Sequence, residues 1–199
     1  MKNRFKFIGV YDYTVILTYM SLCFAVIGIL NAVEEKFTAA ILCLAGAGVC
    51  DAFDGIVARS KKDRTEDEKA FGIQLDSLCD VISFGVFPAL LCYFMGVNGI
   101  LGVVIVCIYS ICAVARLAFF NVLEGKRQQV ESGCAKFYRG LPVTSISIML
   151  PFVYLFRAVI PENVFIWILH GLLLMTAFLF VYDFSVPKPD WLKILRGKK

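Results

Sequence analysis

Apolar residues fall into six blocks of about twenty along this chain, and short polar or turn-forming segments separate the blocks. A transmembrane helix needs about 20 mostly apolar residues, whereas barrel strands would alternate in polarity over about ten residues. The pattern therefore predicts an all-α integral membrane protein. Its six transmembrane helices are expected at Tyr13–Ala32, Phe37–Val57, Ile73–Met95, Ile100–Phe120, Leu141–Ile160 and Val164–Tyr182.

The composition excludes a water-soluble globule. Of the 199 residues, 59% are hydrophobic and only 18% are charged, whereas a soluble domain has about 25% charged residues. A chain of this length has room for one membrane domain, residues 1–199, and for no separate soluble module. Its net charge of +4 suits an anionic leaflet, so we expect membrane lipids as partners and no nucleic acid.

The basic residues indicate the orientation. Seventeen of the 20 Lys and Arg residues lie in the terminal segments and in alternate loops on one side of the predicted helices, and cytoplasmic loops carry such an excess. We therefore expect both termini in the cytoplasm and the chain in the plasma membrane. No small-residue cleavage pattern follows the first block, which predicts a retained helix. The segment Lys2–Ile8 mixes basic and aromatic residues and is expected to be a short interfacial anchor or, equally, a frayed basic tail.

Four carboxylates lie within the predicted spans, where each costs about 2.5–3.5 kcal/mol at a helix centre. Asp51 and Asp54 are three residues apart in the second helix, and Asp76 and Asp80 are four apart in the third. Both spacings put a pair on one helical face, and two antiparallel neighbouring helices would bring the pairs to one depth. Converging carboxylates need cations, and oxygen ligands favour Mg²⁺, Mn²⁺ or Ca²⁺.

The residues around the acids favour a phosphate ligand. Gly55 and Ala58 follow the first pair, and Gly72 precedes the second pair by one turn. Such small residues let a ligand approach the helix backbone, and Arg59 offers a planar guanidinium that suits phosphate. A diphosphate bridged to divalent ions is therefore a coherent occupant. The alternative is a set of polar residues satisfied by hydrogen bonds between helices.

These residues carry a family resemblance. The run Asp51-x-x-Asp54-Gly55-x-x-Ala58-Arg59, followed by Gly72-x-x-x-Asp76-x-x-x-Asp80, resembles the signature of the CDP-alcohol phosphatidyltransferases. The family usually has a shorter segment between its Arg and its second Gly than the twelve residues found here, from Ser60 to Phe71. We expect the extra charged residues to lengthen the cytoplasmic loop and to leave the spacing within each acidic pair intact.

The resemblance implies an enzyme that replaces CMP on a CDP-lipid with an alcohol. Asp80 would be the general base for the acceptor hydroxyl. The ligands of two divalent ions would be Asp51, Asp54, Asp76 and Asp80. The residues bordering the CDP-lipid would be Gly55, Ala58, Arg59 and Gly72.

Three further segments resemble one branch of this family, the phosphatidylserine synthases: Leu75–Pro88, Tyr109–Asn121 and Lys136–Pro142. The branch implies transfer of a phosphatidyl group from CDP-diacylglycerol to L-serine, and the family implies a homodimer. Arg116 lies inside an apolar span and should face a polar cavity with an anionic partner, either the serine carboxylate or one of the aspartates. The residues expected at the acceptor are Arg116, Asn121, Lys136 and Arg139.

Two kinds of alternative stay open. The acceptor could be glycerol 3-phosphate or an inositol compound, since Lys136 and Arg139 are also compatible with a phosphate. In a different class, intramembrane acids could serve a small cation transporter. A permeation path, however, would distribute polar residues through the bilayer, whereas these acids are expected at one depth.

Overall fold

The computed structural model describes residues 9–11, 13–61, 63, 65–130 and 137–187, so the segment Lys2–Ile8 lies outside the described residues. Within these ranges, five helices are long and apolar enough to cross a membrane: Tyr13–Val33, Phe37–Ala58, Glu66–Phe94, Gly99–Leu123 and Glu162–Val181. They confirm five of the six predicted blocks. The chain is therefore a multi-pass membrane protein built from helices.

The described elements are seven α-helices and one short antiparallel pair of strands. The helices are α1 (Ile16–Val33), α2 (Phe37–Ser60), α3 (Glu66–Asp80), α4 (Phe87–Phe94), α5 (Gly99–Val130), α6 (Ile146–Tyr154) and α7 (Glu162–Val181). The strands are β1 (Phe137–Arg139) and β2 (Ser185–Pro187). A π-helical segment, Val81–Val86, joins α3 to α4 in one continuous helix, and 3₁₀ turns at Tyr13–Val15 and Val143–Ser145 lead into α1 and α6.

The block predicted at Leu141–Ile160 is only partly helical. Its apolar helix covers Val143–Tyr154, and turns follow. At 1.5 Å per residue this helix is about 18 Å long, which is shorter than a hydrocarbon core of about 30 Å. Pro151 lies inside α6 and lacks the amide proton for a helical hydrogen bond, and α6 ends within a turn of it. This block therefore differs from the uninterrupted span that its hydrophobicity predicted.

Most of the twelve-residue segment Ser60–Phe71 belongs to α2 and α3, which corrects the expectation of a longer loop. α2 continues to Ser60, and α3 begins at Glu66. Thr65 caps α3, because its hydroxyl accepts the Glu68 N–H while the Glu68 carboxylate accepts the Thr65 N–H. This capping box satisfies two amide groups at the helix start, and Lys61 pairs with Glu68 at 3.3 Å. The extra residues therefore lengthen the helices beyond the acidic pairs.

Glycines allow the closest contacts between helices. α1 lies along α2 and also reaches α3 and α4. A Cβ on Gly28 of α1 would overlap the ring of Phe87 in α4, and one on Gly48 of α2 would overlap Ser147 beside it in α6. Glycine at such points lets backbones approach closely. These contacts fix α1 and α2 against the rest of the bundle.

The π-helical segment begins directly after Asp80. Pro88 in the first turn of α4 has no amide proton, so the Phe84 carbonyl lacks its usual α-helical donor. The Tyr109 hydroxyl of α5 donates to this carbonyl at 2.7 Å, and the Ser110 hydroxyl donates to the next carbonyl at 3.3 Å. π-Helical turns frequently occur at functional sites. Here α5 holds the continuous helix one turn beyond its second acid.

The strands bring the chain before α6 together with the chain after α7. Phe137 pairs with Pro187, and Arg139 pairs with Ser185. Next to the ladder, the Gly140 N–H donates to the Phe184 carbonyl at 2.6 Å. The segment from α6 to α7 therefore forms a hairpin that leaves this end of the bundle and returns to it.

Candidate functional site

Three of the four predicted acids meet at one point between α2 and α3. One carboxylate oxygen from each of Asp51, Asp76 and Asp80 lies within 4.8 Å of the other two. We call these residues the acidic trio. Spacing alone placed each pair on one helical face, and the fold turns the two faces toward each other.

Asp54 lies beside the trio and is also held by α1. Its Oδ2 accepts a hydrogen bond from the Thr18 hydroxyl at 3.3 Å, and its carboxyl is within hydrogen-bonding reach of Asp76. It does not belong to the group of oxygens that meet within 4.8 Å. The predicted quartet is thus a trio with a fourth acid next to it.

The chemistry of the trio fits a divalent cation. Asp80 is buried, with 7% of its surface exposed, and the Asp51 carboxyl lies against it. Among the described residues, Oδ1 of Asp76 is buried without a hydrogen-bond partner, and no Lys or Arg forms an ion pair with the trio. Converging carboxylates repel one another unless a proton or a cation lies between them. An oxygen-only donor set suits Mg²⁺, Mn²⁺ or Ca²⁺.

The small residues of the signature flank the acids. Gly55 and Ala58 continue α2 beyond the first acidic pair, and Gly72 lies one turn before the second pair on α3. All three are partly exposed. α2 also carries Arg59, whose side chain lies outside the described part of the structure. The two glycines and Ala58, small and partly exposed, leave room for a phosphate group to approach.

Asn121 is hydrogen-bonded to α3 at a residue next to the acidic trio. Its Oδ1, on α5, accepts the hydroxyl of Ser77 at 2.7 Å, and Ser77 lies between the two acids of α3. Lys136 is outside the described residues, and Arg139 belongs to β1 with its side chain outside the described part. The structure therefore places Asn121 close to the acids and gives no position for the two basic side chains.

Arg116 is buried on α5, with 7% of its surface exposed. Its Nε donates to the Leu141 carbonyl at 3.3 Å, and the nearby charge that acts on its guanidinium is Asp183, after α7. Both residues line a cavity of about 210 Å³ with Gly140 and Tyr182. The cavity is lined mostly by apolar side chains, and the charged neighbour of Arg116 in it, Asp183, is not one of the aspartates predicted from the sequence.

Sequence reasoning missed Thr18, Ser21 and Asp183. Thr18 and Ser21 are buried hydroxyls three residues apart on α1, and Ser21 contacts the Ser83 hydroxyl of the π-helical segment at 3.4 Å. Two hydroxyls on one face of an apolar span were the available signal, because such groups usually bond across helices. For Asp183 the signal was an acid directly after the last apolar helix.

A family model agrees with this geometry. Residues 13–182, most of the chain, match the model described as CDP-alcohol phosphatidyltransferase. The chain belongs to this family. The acidic trio, Asp54 and the flanking small residues all lie inside the matched range, so the family signature and the converging carboxylates coincide in one place.

Several curated relatives align with the chain. A CDP-diacylglycerol–serine O-phosphatidyltransferase of Mycobacterium tuberculosis is 35% identical over 127 residues, which is 63% of this chain and 43% of the relative. The protein of the same name from Saccharomyces cerevisiae is 36% identical over 113 residues, 55% of this chain and 40% of the relative. An archaetidylserine synthase of Methanothermobacter thermautotrophicus is 36% identical over 134 residues, 65% of this chain and 52% of the relative. The chain spans about half the length of these relatives.

Proposed function

We propose that this member of the CDP-alcohol phosphatidyltransferase family transfers the phosphatidyl group of CDP-diacylglycerol to L-serine, forming phosphatidylserine and releasing CMP. The observation that carries the proposal is the meeting of Asp51, Asp76 and Asp80 within 4.8 Å inside the family signature. The names of the aligned relatives support serine as the acceptor. Membership of a transferase family argues against the cation-transporter alternative.

The acidic trio and Asp54 would hold two divalent ions, Mg²⁺ or Mn²⁺, with Ca²⁺ as a further candidate. Bound ions of this kind would neutralise the diphosphate and stabilise the charge that develops on the transferring phosphate. The unpartnered Asp76 Oδ1 supports a cation at this point. Thr18 would orient Asp54 through its hydroxyl.

Asp80 would act as the general base. It would take the proton of the serine hydroxyl, and the serine oxygen would then form a bond to the lipid-side phosphorus while the bond to CMP breaks. Its burial beside Asp51 and Asp76 supports this role, because a buried carboxylate can take up a proton away from bulk water. The residues that border the CDP-lipid in this proposal are Gly55, Ala58, Arg59 and Gly72.

The acceptor would bind on the α5 side of the trio. Arg116 would bind the serine carboxylate, because a guanidinium can bind a carboxylate through two parallel hydrogen bonds. Asn121 would face the acceptor through its amide, since its carbonyl oxygen is taken by Ser77. Lys136 and Arg139 would be the other basic residues at the cytoplasmic entrance of the acceptor site.

We propose six membrane passages with both termini in the cytoplasm. The β1–β2 ladder joins the chain before α6 to the chain after α7, so α7 can cross only if the preceding segment, residues 141–160, also crosses. The short α6 and its following turns would serve as that passage. In this proposed topology the acidic trio would face the cytoplasm from the plasma membrane. The chain would form a single domain over residues 1–199 and would assemble as a homodimer.

An acceptor-dependent assay tests the proposal. The purified chain in liposomes with CDP-diacylglycerol should release CMP when L-serine is added, and EDTA should stop the release. Glycerol 3-phosphate and inositol serve as competing acceptors, and the Asp80→Asn variant serves as the inactive control. CMP release that depends on either competing acceptor and not on serine would refute the proposed acceptor.

A further inference from the structure

The cavity beside Arg116 lies between the end of α7 and α5. Its volume is about 210 Å³, and its lining includes Arg116, Phe119, Gly140, Tyr182 and Asp183. Pockets for drug-sized ligands begin at about 300 Å³. The occupant of this smaller space should therefore be a small molecule or the headgroup of a lipid.

The cavity carries two opposite charges at different places. Arg116 is buried, and its Nε is bonded to a backbone carbonyl. Its two terminal nitrogens have no hydrogen-bond partner among the described residues, so they can receive an anion. Asp183 is exposed just past the C-terminus of α7, where the helix dipole adds partial negative charge. One end of the cavity therefore attracts an anion, and its rim attracts a cation.

Gly140 keeps the space beside the guanidinium open. Its φ is +71°, a left-handed conformation that favours glycine. A Cβ there would lie 3.2 Å from the Tyr182 carbonyl oxygen and 3.5 Å from Arg116 Nε. A larger residue would crowd the group that is available to an anion.

The cavity lies at the same level along the helices as Asp80. α5 runs antiparallel to the continuous helix from α3 to α4, as two contacts show. Asn121 is level with Ser77, and Ala113 is level with Gly85, whose added Cβ would lie 3.3 Å from the Ala113 Cβ. Arg116 lies between the two contacts on α5, and Asp80 lies between them on the opposing helix.

We propose that this cavity is the acceptor subsite and recognises a zwitterionic α-amino acid, with Arg116 binding the carboxylate and Asp183 binding the ammonium group. The proposal rests on the proposed function and adds Asp183 as a residue that determines specificity. An acid at the rim attracts an ammonium group and repels a phosphate. It would therefore favour an amino acid over glycerol 3-phosphate.

The test measures CMP release by the full chain in liposomes with CDP-diacylglycerol while L-serine is varied. Asp183→Asn should raise the KM for serine at least tenfold, with kcat within twofold and the KM for CDP-diacylglycerol unchanged. Asp183→Glu should restore part of the affinity, since it keeps the charge. Glu162→Gln, which removes an exposed acid at the other end of α7, is the matched control and should match the unmodified chain.

Competition with glycerate, which has a hydroxyl in place of the ammonium group, isolates the proposed contact. The unmodified chain should prefer serine to glycerate, and Asp183→Asn should reduce that preference at least tenfold. An unchanged preference and an unchanged KM for serine would overturn the assignment of Asp183 while leaving the proposed function intact. If Asp183→Asn changed only the response to the phosphatidylethanolamine content of the liposomes, the cavity would be a lipid-headgroup site and the proposal would be wrong. An unmodified chain that never uses serine would refute the proposed function itself.

Discussion

Replacing Asp76 with Asn removes one charge from the acidic trio and keeps the shape of the side chain. Asp76 contributes a buried oxygen without a hydrogen-bond partner among the described residues. In the absence of metal, the ionised carboxylate gains little from its surroundings and is repelled by Asp51 and Asp80. We therefore expect Asp76→Asn to stabilise the metal-free protein and to weaken metal binding.

The separation of the carboxylate oxygens sets the magnitude. At 4.8 Å and an effective dielectric constant of about 20, two unit charges repel by about 3.5 kcal/mol. The oxygens lie no farther apart than this and Asp76 takes part in two such pairs, so its repulsion in a fully ionised trio is at least about 7 kcal/mol. The metal-free trio can lower this repulsion by binding a proton, so a gain of about one pair, roughly 3.5 kcal/mol, is the expected scale.

Thermal unfolding of the full chain in detergent provides the assay, first with EDTA and then with increasing Mg²⁺ or Mn²⁺. Without metal, Asp76→Asn should unfold several degrees above the unmodified chain. With metal, the unmodified chain should become more stable, because a ligand that binds only the folded state stabilises it. The variant should gain much less stability. Asp63→Asn, which removes an exposed acid outside the trio, should behave like the unmodified chain in both conditions.

A metal-free Asp76→Asn protein that unfolds below the unmodified chain would refute the reasoning. It would mean that the Asp76 carboxylate makes stabilising contacts that outweigh repulsion within the trio. An equal response to metal in both proteins would remove Asp76 from the ligand set.

Three further predictions follow from individual contacts. Asp80→Asn should abolish CMP release while CDP-diacylglycerol binding persists, and turnover near that of the unmodified chain would exclude Asp80 as the base. Thr18→Val removes the 3.3 Å hydrogen bond to Asp54, a loss of about 1–2 kcal/mol. It should lower kcat/KM roughly 5- to 30-fold at limiting Mn²⁺, and an unchanged value would show that α1 does not position this acid. Gly28→Ala should cost about 1–3 kcal/mol of stability through overpacking against α4. Gly171→Ala, whose added Cβ meets no atom within 4 Å, should not lower the melting temperature, because Ala is favoured over Gly inside a helix. Equal melting temperatures would show that the α1–α4 contact can relax.

Much of the architecture could be predicted from local sequence pattern. Twenty apolar residues in a row identify a membrane helix because backbone groups in hydrocarbon must be satisfied within the segment. The pattern failed at Leu141–Ile160, where hydrophobicity predicted a full span and the apolar helix ends at Tyr154. The pattern also predicted a loop for the charged residues before Asp76. In the structure α3 begins at Glu66, with the capping box of Thr65 and Glu68 at its start, and includes several of them. Hydrophobicity indicates which segments lie in the membrane. Local features such as the Thr65–Glu68 capping box decide where a helix begins.

In the acidic site, too, the sequence pattern predicted the local arrangement, and the tertiary structure decided the contacts between helices. Spacings of three and four residues determined that Asp51 and Asp54 share one face of α2, and that Asp76 and Asp80 share one face of α3, since 3.6 residues make a helical turn. Only the tertiary structure decided that three of these carboxylates meet and that Asp54 turns toward Thr18.

The surroundings of Arg116 could be predicted from the sequence only in part. Its charge in an apolar span predicted a polar cavity and an anionic neighbour, but not which acid that would be. Asp183 is distant in the sequence, and it lines the same cavity as Arg116 because α5 packs on α7 and the β1–β2 ladder draws the chain back. Helical periodicity acts over a few neighbouring residues and so can be read from the sequence. Contacts between distant segments depend on how whole helices pack, and that packing was decided by the tertiary structure alone.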